Sequence, residues 1–199
     1  MKTCDKLPPS YKSEPAFRIE TESDRKLSRR IKAVSAAAAV ALLGTGCVFL
    51  PPEALTHMDK PFERLISLVM GMLLVSTVHE LIRGLVMRIC SGTKPILKFS
   101  GGYLYAGSEV FFGRGCEFLI NLAPFALMTA ALTAVLLSIS DLSSKWIIWM
   151  VMTVEICTCL RDGYVCIRLL KLPESILIEN VGPSFLVFAE QEKQGKKPE

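Results

Sequence analysis

Two uncharged stretches constrain this chain more than any other feature. Residues 33–50 (AVSAAAAVALLGTGCVFL) and 118–140 (FLINLAPFALMTAALTAVLLSIS) contain no Asp, Glu, Lys or Arg. Each is about as long as a helix needs to cross a bilayer, where backbone polar groups must be satisfied inside the helix itself. Two further apolar runs, 65–78 (LISLVMGMLLVSTV) and 146–154 (WIIWMVMTV), lead directly into ionisable residues. Followed on to Cys90 and Leu170, they read as membrane helices with charged groups partway along. The expected fold class is an all-α polytopic membrane protein of about four transmembrane helices, with small β-hairpin elements on the cytoplasmic side.

Lysine and arginine placement sets the orientation. Arg25, Lys26, Arg29, Arg30 and Lys32 precede the first crossing, and Arg88, Lys94, Lys98 and Arg114 flank the middle loop. Lys171, Lys193, Lys196 and Lys197 follow the last crossing, whereas the third loop holds only Asp141 and Lys145. Both termini and the middle loop are therefore expected in the cytoplasm of a multi-pass cell-membrane protein. Basic flanks facing anionic lipid account for the net charge of +4, so the bilayer is the expected partner and nucleic acid is not. The first apolar run follows basic residues, as a signal peptide would, but its core is long and later crossings exist, so it is read as a retained helix. The seven cysteines are odd in number and mostly within apolar runs, which suits small buried hydrophobes better than a disulfide framework.

Four regions follow. Residues 1–30 read as a disordered basic tail, 31–172 as a four-helix membrane domain, 173–190 as a β-prone segment and 191–199 as a disordered tail. Within the middle loop, β-prone runs at Ile96–Phe99, Tyr103–Tyr105 and Val110–Phe112 are separated by glycines, as in a hairpin or meander. Two more, 176–179 and 184–188, flank an Asn-Val-Gly-Pro turn. Trp146 and Trp149 suit an interfacial aromatic belt, and Asn121 with Pro124 suits a kink bordering a polar cavity.

The informative letters are the ionisable ones inside the helices, since each costs roughly 2.5–3.5 kcal/mol on insertion scales and so lines a protected interior. The second helix offers His79, Glu80 and Arg83, the fourth Glu155, Arg161 and Asp162. On a helix His79 and Arg83 lie one turn apart on one face, as do Glu155, Cys159 and Asp162. Two such faces are best satisfied by meeting, with Arg83 paired to Asp162 or Glu155. The stretch VHELIRGL begins as the H-E-x-x-H zinc helix, in which two histidines one turn apart grip the metal, but Arg83 stands at the second histidine.

In order along the chain stand VHELIRGL, FSGGYLYAG, INLAPF, RDG and LLKLPESILIENVGPSFLVF. Together, over roughly residues 62–190, they resemble a bacterial membrane family described as putative zincin peptidases, similar to the site-2 intramembrane metalloproteases. The resemblance implies His79 and Asp162 as zinc ligands and Glu80 as the base acting on the metal-bound water. It also implies a membrane peptide or protein as substrate, with residues 96–112 presenting a strand edge to it. Arg83 departs from the pattern, because a guanidinium stays protonated and has no lone pair for a metal. Three readings stand open. In the favoured one no metal binds, Arg83 is neutralised by Asp162, Glu80 or Glu155, and the chain is an inactive homologue that binds membrane peptides. In the second, zinc binds a rebuilt set of His79 and Asp162 with Glu155 or Cys159, and the enzyme is active. In the third, the motif is accidental in a small transport or signalling component. His57 falls in the outer loop, on the wrong side for a ligand.

Overall fold

A computed structural model describes residues 3–20, 24–56, 60–100, 103–181 and 184–191. His57 and most of the expected C-terminal tail (192–199) lie outside the described residues. Four long helices dominate: α1 (Arg25–Phe49), α3 (Pro61–Ser91), α4 (Arg114–Ser138) and α5 (Leu142–Leu170), with one short turn, α2 (Glu53–Thr56), between the first two. All four are long and apolar enough to cross a membrane and mark a multi-pass membrane protein.

Local chemistry sets the helix ends. The Asp24 carboxylate accepts the N–H groups of Lys26 and Leu27 at the start of α1, and Asp141 accepts the Ser144 N–H at 2.9 Å at the start of α5. Pro61 occupies the first turn of α3, where its missing N–H costs nothing. Gly92 ends α3 in the left-handed region at φ 72°, its N–H reaching the Arg88 carbonyl at 2.8 Å. Helix α4 runs through Pro124 as one element.

Because the four long helices alternate in direction, the segment before α1, the α3–α4 loop and the segment after α5 meet at one end. There they build a sheet from five antiparallel strands: β1 (Thr3–Cys4), β2 (Phe17–Glu20), β5 (Phe111–Gly113), β6 (Leu177–Asn180) and β7 (Ser184–Phe188), in the order β1-β5-β6-β7-β2. The register pairs Phe17 with Val187, Ile178 with Val187, and Phe112 with Ile178. A separate hairpin, β3 (Ile96–Ser100) and β4 (Tyr103–Gly107), pairs Leu97 with Ala106 and packs on α3 at Gly84, where an added Cβ would meet Pro95, Leu97 and Ala106.

Buried apolar clusters hold this arrangement. Ile19, Ile178, Phe185 and Val187 of the sheet pack on Val165 and Leu169 of α5. Val86 and Met87 of α3 meet Ala106, Phe112 and Ile120. Farther along the bundle, Val75, Met128, Leu132, Val151 and Met152 join α3, α4 and α5.

Two expectations differ from what is seen. Residues 3–20 contribute β1 and β2, Tyr11 is buried with its hydroxyl donating to the Ser175 carbonyl at 2.6 Å, and α1 begins at Arg25. Polar composition predicts disorder there, but the free edge of β7 supplies a template that no local pattern reveals. Trp146 and Trp149 do not form an outward belt. Trp146 is fully buried, and the two indole N–H groups donate to the Pro51 and Leu42 carbonyls at 3.1 and 2.9 Å. They close over Gly46 of α1, where a Cβ would lie 2.5 Å from Trp149 Nε1.

Candidate functional site

Between the sheet end and the mid-bundle apolar cluster, α3, α4 and α5 turn polar groups toward one another. His79, Glu80 and Arg83 of α3, Glu117 and Asn121 of α4, and Glu155, Cys159 and Asp162 of α5 are all buried. The expected faces of α3 and α5 thus meet, and His79, Arg83 and Asp162 converge.

Arg83 is the centre. Its side chain is 2% exposed, and Nη2 donates to Asp162 Oδ1 at 2.9 Å and to Asn121 Oδ1. Nη1 faces Glu80 Oε1 at 3.4 Å. The other Glu80 oxygen accepts the Ala106 N–H of β4 at 2.9 Å, so both oxygens of this carboxylate are engaged. Arg161 approaches Asp162 Oδ1 from the partly exposed rim at 3.6 Å. Glu155, expected as an alternative partner for Arg83, instead faces His79: Oε1 lies 2.7 Å from Nδ1. One turn farther on α5, Cys159 Sγ lies 3.5 Å from Glu155 Oε1 and 3.9 Å from His79 Nδ1. The second imidazole nitrogen, Nε2, is 3.4 Å from Asp162 Oδ2. His79 is therefore held between two acids of the same helix.

A second layer links this cluster to the sheet. Glu117, fully buried, accepts from Asn121 Nδ2 at 3.0 Å and from Asn180 Nδ2 at 2.7 Å through Oε1. Its Oε2 and Arg83 Nε have no hydrogen-bond partner among the described residues. Sequence reasoning missed Glu117 and Asn180. A lone acid entering an apolar run four residues before Asn121 was the available signal for the first. Asn180 sits in a turn-like context with none. Beside it, a cleft of about 180 Å³ runs between the β3–β4 hairpin and the end of β6, lined by Lys98, Tyr105, Glu109 and Glu179 among others. Burial, and then the nearby Glu109 carboxylate, raise the Glu179 carboxyl above its ordinary value.

Zinc on the donor set implied by the H-E-x-x-H pattern does not fit these residues. The third protein donor would come from position 83, where a guanidinium bonds the very Asp162 carboxylate that the metal would need. A different trio, His79 Nδ1, Glu155 and Cys159, places its donor atoms within 4.8 Å of one another. By donor type and spacing it suits a metal, though one shifted from the expected set.

Residues 72–177 match the family described as "Putative zincin peptidase". The match spans more than half of the 199 residues, and the chain belongs to this family. No curated protein and no solved structure matches it. An accidental motif in an unrelated transport or signalling component would leave His79 and Asp162 far apart; with the family match and a 3.4 Å contact, that reading is set aside.

Proposed function

Taking membership of the zincin family as the premise, we propose that this chain keeps the scaffold of a membrane peptidase and has lost hydrolysis, binding hydrophobic peptides without cutting them. In an active zincin the metal polarises the scissile carbonyl and acidifies its bound water, while a neighbouring glutamate handles the proton. Here each Glu80 oxygen is already engaged, one by the Ala106 N–H and the other by a permanent cation, where an active zincin would aim the carboxylate at a metal-bound water. Asp162 is bonded by the same cation. The observation that carries the reading is Arg83 filling the position of the second histidine, buried and bonded to both would-be functional acids.

Peptide binding is supported by the hairpin. Among the described residues β3 pairs with β4 alone, which leaves its other edge for an extended segment, and Leu97 and Phe99 offer exposed apolar side chains beside it. The distribution of lysine and arginine supports a cell-membrane location with the sheet and both termini in the cytoplasm. A reporter fused to the C-terminus should then be active only as a cytoplasmic enzyme.

Purified protein in lipid vesicles, supplied with zinc and hydrophobic peptides, should leave the peptides intact. A photoreactive benzoylphenylalanine at position 99 should capture them. Cleavage that disappears in Glu80→Gln would overturn the loss of hydrolysis, and absence of capture would remove the peptide-binding part. A second reading, an active enzyme on a rebuilt ligand set, draws on the His79, Glu155 and Cys159 trio and predicts that same Glu80-dependent cleavage.

A further inference from the structure

We propose that His79 Nδ1, a Glu155 carboxylate oxygen and Cys159 Sγ form a binding site for a zinc-class divalent ion, displaced from the donor set that the H-E-x-x-H pattern implies. The inference goes beyond the loss of hydrolysis and does not depend on it.

Three observations converge. The first is spacing. Tetrahedral zinc with Zn–N and Zn–O bonds near 2.0–2.2 Å and Zn–S near 2.3 Å needs donor atoms about 3.3–3.6 Å apart. The three separations here are 2.7, 3.5 and 3.9 Å, bracketing that range. The shortest is a hydrogen bond, and replacing its proton with a metal requires the pair to open by roughly half an ångström, within reach of small side-chain rotations.

The second is the orientation of His79. A histidine that binds a metal through one nitrogen usually gives its other N–H to a carboxylate, which fixes the ring and strengthens the donor. Nε2 faces Asp162 Oδ2 at 3.4 Å, and Asp162 is itself pinned by Arg83 at 2.9 Å. The arginine that blocks the pattern's own site thus anchors the outer support of the displaced one. Arg83 and metal are compatible because they hold different oxygens and different residues.

The third is charge. Glu80, Glu117, Glu155 and Asp162 are buried between apolar helices, and Arg83 is the fixed cation buried among them. Arg161 approaches Asp162 from the partly exposed rim. Arg83 has no contact with Glu155 among its bonds, so the carboxylate at the far side of the cluster depends on His79 for compensation. Uncompensated charge in hydrocarbon is costly, and a divalent ion at His79 and Glu155 would supply what Arg83 cannot reach. A mixed nitrogen, oxygen and sulfur set selects zinc-like ions over magnesium or calcium, which prefer all-oxygen cages.

The test is metal content of the full-length purified protein after equilibration with zinc and removal of excess, with a cobalt-loaded sample read by absorbance. About one zinc per chain is expected, and cobalt should show a thiolate-to-metal charge-transfer band. Cys159→Ser should abolish the band and lower zinc affinity at least about tenfold, and Asp162→Asn should weaken it by about 10–100-fold while keeping the band. Cys47→Ser, on the exposed face of α1, should change neither. Folded protein (judged by its helical circular dichroism) that retains no zinc overturns the proposal. So does zinc that Asp162→Asn removes while Cys159→Ser leaves it in place, since that places the ion at the pattern's own donors. Peptide cleavage is read separately, in the vesicle assay, so a failure of this proposal and a failure of the loss of hydrolysis are distinguishable.

Discussion

The two halves of α5 hold their neighbours by opposite means. Toward its start, Trp146 and Trp149 fit over Gly46 of α1 and spend their N–H groups on the carbonyls of Pro51 and Leu42. Toward its end, Glu155, Cys159 and Asp162 meet His79 and Arg83 of α3 through hydrogen bonds and opposite charge. Within a bilayer, lipid tails are as apolar as leucine, so helices associate through close approach at small residues and through polar bonds between them. One half of α5 uses each route. Shape tolerates no added atom, and charge tolerates no lost partner.

The largest effect is expected where charge does the holding. Arg83→Ala leaves Glu80 buried without its cation and Asp162 without its buried one, and should cost about 3–5 kcal/mol in unfolding of the detergent-solubilised protein. A loss below about 1 kcal/mol would mean that the inner half is also held by shape. The outer half should respond less. Gly46→Val puts methyl groups where Trp149 Nε1 already stands, and overpacking of this kind costs about 1–3 kcal/mol. Trp146 and Trp149 are the only tryptophans, so their emission reports this contact alone and should move to longer wavelength. An unchanged spectrum would break the contrast between the halves.

The smallest effect lies at the exposed start of α5. Hydrogen bonds from the Ser144 hydroxyl and backbone N–H, with Arg64 nearby, lower the Asp141 carboxyl below its ordinary value of 3.8. A depressed acid stabilises the fold above that ordinary value and loses its contribution as pH falls through the folded one. Asp141→Asn should therefore be slightly less stable than the unaltered protein at neutral pH, and the gap should close as pH drops below about 4. A gap that is constant with pH would show that the cap acts without its charge.

Much of the bundle was legible because hydrocarbon allows few solutions. Long uncharged runs can only be helices there, and ionisable residues within them must turn inward, which is why His79, Arg83 and Asp162 could be expected to meet. Which acid each cation would choose was not legible. Arg83 takes Asp162 and leaves Glu155 to His79, a choice made by packing at the ångström scale. The five-stranded sheet was legible only in part. The C-terminal hairpin announced itself through its turn, whereas β2 is a short polar-flanked strand that exists because Phe185 and Val187 of β7 offer it an edge. Glu117 and Asn180 join across 63 residues of sequence, a pairing that no periodicity encodes.

That sheet also orders events during synthesis. Its strand β2, made before any of the long helices, is completed by its last-made strand, β7, and all four long helices must be synthesised before the two can pair. Until the ribosome has released that final hairpin, Asn180 cannot reach Glu117 and the buried polar cluster stands open. A nascent chain is consequently an unlatched one, and losing the last two strands would leave the helices inserted but the interior unsealed.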